Sequence, residues 1–281
     1  MKILVTGGSG RAGQYIIPEL LEHGHEVVNA DRVPPAESNP RVRFIQIEST
    51  DYGDVLAASA GCDAIVHMAA IPSPVRDPEH RVFQVNLLSD WNVLQAAEVH
   101  GIPKVVMASS VNAVGAVFSK AAIAPHYFPI DEAHPTRAED AYSQSKWLGE
   151  QMAQGFCRRR PMQIASMRFH GLWDVETQRR YKANPNADPT NRSAFHFWGW
   201  VDRRDAARAC RLALEKDWEG QESFFINSTE TTLNIPTEEA IEKAYPGAPI
   251  RKPLPGFASA IDISKAESML GWQPEYSWRD A

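Results

Sequence analysis

The stretch Thr6–Gly13, which reads Thr-Gly-Gly-Ser-Gly-Arg-Ala-Gly, decides the fold of this chain. It follows the short apolar run Ile3-Leu4-Val5 and leads into a segment, from about Arg11 to His23, whose apolar residues recur at helical spacing. Glycines repeated every three residues permit a tight turn, because a glycine has no Cβ atom to clash with neighbouring backbone. The stretch therefore predicts a strand, a turn and a helix at the start of the chain.

Apolar runs and helical segments continue to alternate through the first half of the chain. Strand-like runs at 26–30, 42–47, 64–67 and 104–108 are separated by helical patterns, among them those at about 53–60 and 80–100. Such alternation is typical of parallel βαβ units, and their right-handed crossovers build a doubly wound sheet. We therefore predict an α/β fold, a Rossmann doubly wound parallel sheet.

The regular alternation of strand-like and helical segments ends after Ser110. We expect a long loop over 112–137, a helix over about 138–159 and a second polar loop over 173–197, with further sheet elements later in the chain. These patterns predict a dinucleotide-binding Rossmann domain over 1–170, to which later segments contribute. Mixed segments over 171–281 are predicted to form a small C-terminal substrate-binding cap and the remaining sheet elements.

The glycine stretch also predicts a ligand. Gly7 suits the tight turn, Gly10 allows backbone to approach a pyrophosphate, and Gly13 allows the helix to pack on the sheet. The phosphates then rest on the positive end of the helix. Asp31, 18 residues after Gly13, ends the second strand, where a carboxylate accepts hydrogen bonds from ribose hydroxyls and favours NAD. Arg11 and Arg32 could instead pair with a 2′-phosphate, so NADP stays open as the less favoured cofactor.

A tyrosine and a lysine stand four residues apart in the predicted helix over 138–159. Tyr142 and Lys146 therefore lie on one helix face. Tyrosine is a poor base at neutral pH, and a neighbouring ammonium group is expected to lower the pKa of Tyr142. Ser110 ends the fifth strand, so its hydroxyl can reach the same cavity. These three residues predict a hydride-transfer site, with Tyr142 as the acid/base.

Motifs in the same order resemble those of the extended short-chain dehydrogenases/reductases, specifically the NAD-dependent epimerase/dehydratase family. The resemblance covers nearly the whole chain. The motifs that carry it are Thr6–Gly13, His67-Met68-Ala69-Ala70, Asn86, Ser109-Ser110, Tyr142 with Lys146, Arg168-Phe169-His170, the run 201–209 and Leu270-Gly271-Trp272. The run 109–115, Ser-Ser-Val-Asn-Ala-Val-Gly, is similar to that of compact uronate dehydrogenases.

The resemblance implies a role for each matching residue. Tyr142 would be the acid/base, Lys146 would hold the cofactor ribose, and Ser110 would orient the substrate oxygen. The residues implied to contact or support the cofactor are Gly7, Gly10, Arg11, Ala12, Gly13, Asp31, Glu48, Ser49, Ala69, Ala70, Asn86, Tyr142, Lys146, Phe169 and His170. Candidate substrate residues are Asn112, His170 and Arg192, the last because a guanidinium can bind a carboxylate bidentately.

Composition excludes several classes of partner. The 281 residues include 29 Lys and Arg against 35 Asp and Glu, a net charge of −6, which argues against nucleic acid or an anionic membrane as partner. The three cysteines lie far apart and show no metal-ligand spacing, so we predict no metal. Their number suits a reducing compartment, and no run reaches the length of a membrane span. We expect a soluble cytoplasmic protein, and the resemblance implies a homodimer.

Three functions remain open from the sequence. The first is a NAD-dependent oxidoreductase that transfers a hydride from a hydroxyl of a sugar or sugar acid to the nicotinamide. The second is a nucleotide-sugar epimerase or dehydratase with tightly held NAD, and the third is a dinucleotide-binding module without chemistry. The third is disfavoured because Tyr142 and Lys146 are both present. Carbonyl reductases acting on other substrates are a further alternative.

Overall fold

The computed structural model describes residues 1–120 and 124–281. This part of the chain contains nine strands and eight α-helices. The strands are β1 Lys2–Thr6, β2 Glu26–Asp31, β3 Val42–Gln46, β4 Ala64–His67, β5 Lys104–Ser110, β6 Gln163–Phe169, β7 Leu172–Trp173, β8 Val201–Asp202 and β9 Gly220–Ile226. The helices are α1 Gly13–Glu22, α2 Tyr52–Ser59, α3 Glu79–His100, α4 Ala141–Arg159, α5 Val175–Ala183, α6 Arg203–Glu215, α7 Thr237–Ala244 and α8 Ser264–Leu270.

Seven parallel strands form one sheet in the order β3-β2-β1-β4-β5-β6-β9, which confirms the predicted doubly wound α/β fold. The strands β4 and β6 are buried along their whole length, because helices cover both faces of the sheet. The short strands β7 and β8 pair separately. The carboxyl ends of the seven strands share one edge, where open α/β sheets bind their ligands.

Helices cover both faces of the sheet. The helices α1 and α6 pack on one face, where Ile16 and Leu20 belong to the larger apolar cluster. The helices α2, α3 and α4 cover the other face, around a second cluster that includes Val55, Val93 and Ala153. This second layer matters for the site, because α3 supports α4 from behind and α4 carries Tyr142 and Lys146.

Several predicted elements differ from those observed. The segment 173–197 is not one loop, because it contains α5 and a 3₁₀ helix Arg192–His196. The predicted loop 112–137 begins with a 3₁₀ helix Val111–Val114, and its residues 121–123 lie outside the described part of the chain. The strand β9, by contrast, agrees with the expectation of a further sheet element after residue 170, and it is the last strand of the main sheet.

Candidate active site

The turn after β1 is a close-packed glycine structure. Gly7 has a positive φ of 69°, and a Cβ atom there would lie 2.6 Å from the backbone nitrogen of Ala69. A Cβ atom on Gly13 would lie 2.4 Å from the Cα atom of Gly8. Gly10 is less confined, since its Cβ atom would meet only the oxygen of Gly7, at 3.0 Å. These close approaches need glycine, and the open backbone before α1, with Ala12 at its N-cap, fits a pyrophosphate.

Asp31 lies beside this turn at the end of β2. Its Oδ2 atom accepts a hydrogen bond from the backbone nitrogen of Ser9, at 3.1 Å, and its Oδ1 atom accepts one from Val33, at 3.3 Å. The glycine turn itself therefore fixes the carboxylate. Arg11 and Arg32 are exposed to solvent.

The residues after β3 are hydrogen-bonded to α3. The hydroxyl groups of Ser49 and Ser89 are 2.8 Å apart, and the Asn92 side chain donates to the Ser49 carbonyl. Glu48 is partly exposed and accepts a hydrogen bond from the backbone of Thr50. Glu48 and Ser49 thus border the carboxyl edge of the sheet two strands from β1.

Asn86 joins two parts of the site. It is fully buried, and its Oδ1 atom accepts a hydrogen bond from the Ile71 backbone nitrogen at 2.8 Å. Its Nδ2 atom donates to the Ile71 oxygen and to the hydroxyl of Ser145. Asn86 therefore links α4 to the loop that carries Ala69 and Ala70, rather than pointing at open space.

Ser110, Tyr142 and Lys146 converge as predicted from their spacing. Asp140 caps α4 by accepting hydrogen bonds from the Tyr142 and Ser143 nitrogens, which places Tyr142 in the first helical turn. Ser110 is the last residue of β5. The Lys146 Nζ atom lies 5.9 Å from the centre of the Tyr142 ring and donates to the Ala108 oxygen at 2.7 Å.

Burial, rather than neighbouring charge, has the largest effect on the pKa values of Tyr142 and Lys146. It raises the pKa of Tyr142 to about 12, while the Ser110 hydroxyl acts in the opposite direction. Burial also lowers the pKa of Lys146, against the negative charges of Asp90 and Glu150. The expectation that Tyr142 has a pKa lowered toward neutrality beside Lys146 is therefore wrong. The phenol keeps its proton at neutral pH.

Two buried acidic residues behind the site were missed by the sequence analysis. Asp90 is 3.1 Å from Nε2 of His67, whose Nδ1 atom is 2.6 Å from the hydroxyl of Thr6. Glu150 binds Arg168 through two hydrogen bonds of 2.9 and 2.8 Å and accepts a third from Ser109. Each follows a recognised site residue by four positions on its helix, Asp90 after Asn86 and Glu150 after Lys146. This four-residue spacing places each acid on the same helix face as the site residue before it, and it could have identified both acids from the sequence.

The predicted substrate residues occupy different environments. The Asn112 Nδ2 atom donates to the Ser110 hydroxyl, while its Oδ1 atom is buried without a hydrogen-bond partner. Arg192 is exposed at the start of its 3₁₀ helix. His170 uses both ring nitrogens within the protein, with the Gly171 nitrogen at 2.6 Å and the His196 oxygen at 2.7 Å. A substrate would therefore have to replace one of the bonds of His170.

The end of β6 brings two further predicted residues to this edge. Phe169 is buried and pairs in register with Ser110, so it lies level with Ser110 at the carboxyl edge of the sheet. His170 follows it, and burial lowers the pKa of His170 to about 3. The imidazole is neutral at physiological pH and donates from Nε2.

A search of protein-family models identifies the chain. Residues 3–173 match the model of the NAD dependent epimerase/dehydratase family. The chain belongs to this family. The cofactor is accordingly NAD, and the protein is an enzyme of the short-chain dehydrogenase/reductase type. The glycine turn fits this cofactor, because a Cβ atom on Gly10 would meet only the Gly7 oxygen, which leaves the backbone before α1 open to a pyrophosphate.

Individual relatives include epimerases and a dehydrogenase. UDP-glucose 4-epimerase of Homo sapiens is 30% identical over 228 residues, 73% of this chain and 63% of the relative. Uronate dehydrogenase of Agrobacterium fabrum is 29% identical over 156 residues, 54% of each chain. The crystal structure of UDP-glucose 4-epimerase from Bifidobacterium longum, in complex with NAD+ and UDP, superposes with a TM-score of 0.73. It is 21% identical and covers 100% of this chain and 95% of its own.

In residues 1–120 and 124–281, no helix combines the length and the apolar character needed to cross a bilayer.

Proposed function

We propose that this enzyme is an NAD-dependent dehydrogenase that oxidises a hydroxyl of a sugar or sugar acid. The observation that carries the proposal is the meeting of Ser110, Tyr142 and Lys146 at the carboxyl edge of the sheet, two strands from the glycine turn. A strand-end hydroxyl, a phenol and an ammonium group at one edge suit removal of a proton from a substrate hydroxyl. The same edge is where the cofactor binds in this fold.

The cofactor-binding residues are assigned by their places along this edge. Gly7, Gly10, Arg11, Ala12 and Gly13 would hold the pyrophosphate. The other proposed contacts are Asp31 with the adenosine ribose, Glu48 and Ser49 beside the adenine, Ala69 and Ala70 behind the pyrophosphate, Asn86 as their support, Lys146 with the second ribose, and Phe169 and His170 at the nicotinamide.

Side chains of this protein orient the substrate hydroxyl and accept its proton. Bound NAD supplies the hydride acceptor. The substrate carbon loses a hydride and its oxygen loses a proton, so the hydroxyl becomes a carbonyl. Ser110 orients the oxygen by a hydrogen bond, and Tyr142, once deprotonated, receives the proton. Lys146, 5.9 Å from the centre of the Tyr142 ring, would hold the second ribose beside the reacting groups.

Arg192 is the cap residue proposed to bind a substrate carboxylate. Arg203 is 3.0 Å from Asp174, and Arg204 is 2.7 Å from Asp202, so both guanidinium groups are already neutralised by carboxylates. Arg192 is exposed at the start of a 3₁₀ helix in the cap. A guanidinium can bind a carboxylate bidentately, so Arg192 is the proposed contact for the carboxylate of a sugar acid.

The test is a substrate panel with excess NAD. Aldoses, uronic acids and UDP-sugars are incubated with the enzyme while the absorbance of NADH is followed and the sugars are analysed. We expect stoichiometric NADH with a free sugar or a uronic acid and none with the UDP-sugars. If only UDP-sugars react, and they isomerise without NADH, the protein is an epimerase and the proposal is wrong.

We also propose that the enzyme is a cytoplasmic homodimer. The thiols Cys62, Cys157 and Cys210 are all free, as suits a reducing compartment. For the dimer, the outer face of α3 presents Leu88 and Trp91, which are 38% and 41% exposed. Two-fold pairing of one such face with its copy is the commonest oligomer symmetry.

A further inference from the structure

Phe118 lies directly against the catalytic tyrosine. The centres of the Phe118 and Tyr142 rings are 5.9 Å apart and the rings are nearly perpendicular, at 86°. Tyr142 is only 7% exposed, whereas Phe118 is partly exposed. Edge-to-face contact is a favourable arrangement for two aromatic rings. Phe118 is therefore one of the side chains that separate Tyr142 from solvent.

The loop that carries Phe118 is held in place by local structure. Gly115 has a positive φ of 84°, and a Cβ atom there would lie 2.1 Å from the Ala138 nitrogen. The Thr136 hydroxyl donates to the Ala113 oxygen at 2.6 Å, and the Ser119 hydroxyl donates to the Gly115 oxygen at 2.8 Å. The loop is thus anchored to the segment that leads into α4. This anchoring gives Phe118 a defined position relative to Tyr142.

The surroundings of Tyr142 have two chemically different sides. On the β5 side, Ser110 offers a hydroxyl and Asn112 a buried Oδ1 atom that has no partner. A buried unpaired acceptor is costly, and a donor from a ligand would satisfy it. On the loop side, Phe118 offers an aromatic ring. A sugar ring has the matching chemistry, because hydroxyls surround its rim and C–H bonds cover its faces.

We propose that Phe118 is a specificity-determining residue that forms the aromatic wall of the substrate site. The C–H face of the sugar lies against this ring, while Ser110 and Asn112 bind hydroxyls at its rim. This inference rests on the proposed function, since it requires that a sugar be oxidised at Tyr142. Phe118 has a second effect, because its ring keeps water away from the phenol.

The first test measures the kinetics of Phe118→Ala with the sugar or sugar acid that the panel identifies. We expect KM to rise about tenfold, the worth of a lost aromatic contact, with a smaller change in kcat. Phe257→Ala is the matched control, because Phe257 is 37% exposed and packs against Arg279. Phe118→Leu keeps an apolar side chain and covers the case in which the alanine variant does not fold.

The second test needs neither substrate nor activity. Ultraviolet absorbance of the phenolate is titrated between pH 8 and pH 11, and each protein is compared with its Tyr142→Phe counterpart to isolate Tyr142. Wild-type Tyr142 should not titrate in this range. Phe118→Ala admits water, so the midpoint of Tyr142 should fall into the range. A Tyr142 that stays protonated up to pH 11 in this variant refutes the shielding role.

The two proposals can fail separately. A wild-type enzyme that oxidises no sugar refutes the proposed function. A wild type that oxidises a sugar while Phe118→Ala and Phe118→Leu keep an unchanged KM refutes the aromatic wall. A raised KM in both Phe118 variants, with Phe257→Ala unaltered, supports it.

Discussion

At the scale of single residues, Tyr142 shows how position changes chemistry. Its hydroxyl belongs to a phenol that titrates near 10 in water. Burial in this fold raises the pKa to about 12, and the nearby Lys146 does not reverse the shift. The residue is therefore a protonated phenol at neutral pH and must lose its proton before it can act as a base. The two predictions at this scale follow from that property.

The first concerns Tyr142→Phe. Loss of the hydroxyl removes the positioned acid/base, so kcat should fall by at least about 10²-fold. NAD affinity should change little, because the aromatic ring still fills its buried place. Steady-state kinetics and calorimetric titration with NAD measure the two effects. Tyr127→Phe is the control, since its hydroxyl binds Asp131 instead. Near-normal turnover in Tyr142→Phe would remove Tyr142 from the mechanism.

The second concerns pH. Because burial raises the pKa of Tyr142, the phenolate is the scarce form at neutral pH, and its fraction grows tenfold with each pH unit. Oxidation needs the phenolate, whereas the reverse reduction needs the phenol. The value of kcat/KM for oxidation should therefore rise from about pH 6 to pH 8, while that for reduction stays level. An oxidation rate that is flat or falls over this range contradicts the assignment.

At the scale of elements, two glycines of the turn between β1 and α1 are expected to have different roles, Gly13 in stability and Gly10 in NAD binding. Gly13→Ala places a Cβ atom 2.4 Å from Gly8, so the turn must shift, and we expect a loss of about 2 kcal/mol in the free energy of unfolding. Gly10→Ala meets only the Gly7 oxygen, at 3.0 Å. It should fold normally and bind NAD at least about tenfold more weakly, because the new methyl group would occupy the place proposed for the pyrophosphate.

Denaturant unfolding and calorimetry distinguish these two glycine variants. Gly155→Ala in α4 is the control, since its Cβ atom would come no closer than 3.8 Å to Arg158. This variant should keep both stability and NAD binding. Equal loss of NAD affinity and stability in Gly10→Ala would mean that Gly10 serves the fold and not the cofactor.

Elements with strong periodicity were predictable, and those fixed by local polar contacts were not. Central strands such as β1 and β4 read as apolar runs because both of their faces are covered. The helix α5 was missed because its segment is polar, with only Gln178 buried. Its start is set by Asp174, whose side chain accepts a hydrogen bond from the Thr177 nitrogen. Asp174 and Thr177 were visible, but a polar segment gave no helical period to support them.

The residues of the site likewise include some that were predictable from the sequence and some that were not. Ser110, Tyr142 and Lys146 were predictable because strand ends and a four-residue helical spacing place them without knowledge of the packing. Phe118 was not, since its contact with Tyr142 depends on how the loop after Gly115 folds back on the segment before α4. The buried state of Tyr142, which sets its pKa, also depends on tertiary packing.

At the scale of the whole molecule, the helix that carries the chemistry also borders an incompletely covered face. The helix α4 packs on α3 through buried residues such as Ser145 and Asn86. On the outer side of the pair, Trp91 of α3 contacts Phe156 of α4, with ring centres 5.1 Å apart. Leu88 and Val99 continue the exposed stripe along α3, at helical spacing from Trp91. A second copy of the chain would cover this stripe and stiffen α4.

The final prediction tests that arrangement. Light scattering at micromolar concentration should give the mass of two chains for the wild type. Leu88→Asp combined with Val99→Asp places charges on the stripe, and because an unpaired buried charge is costly, this variant should be monomeric. Val33→Asp is the control, since Val33 and Val99 are equally exposed, at 59%, and Val33 lies in the loop after β2. A wild type with the mass of one chain, or a Val33→Asp variant that dissociates equally, would exclude this face as the dimer interface. If the dimer stiffens α4, the monomeric variant should also lose part of its kcat while keeping its affinity for NAD.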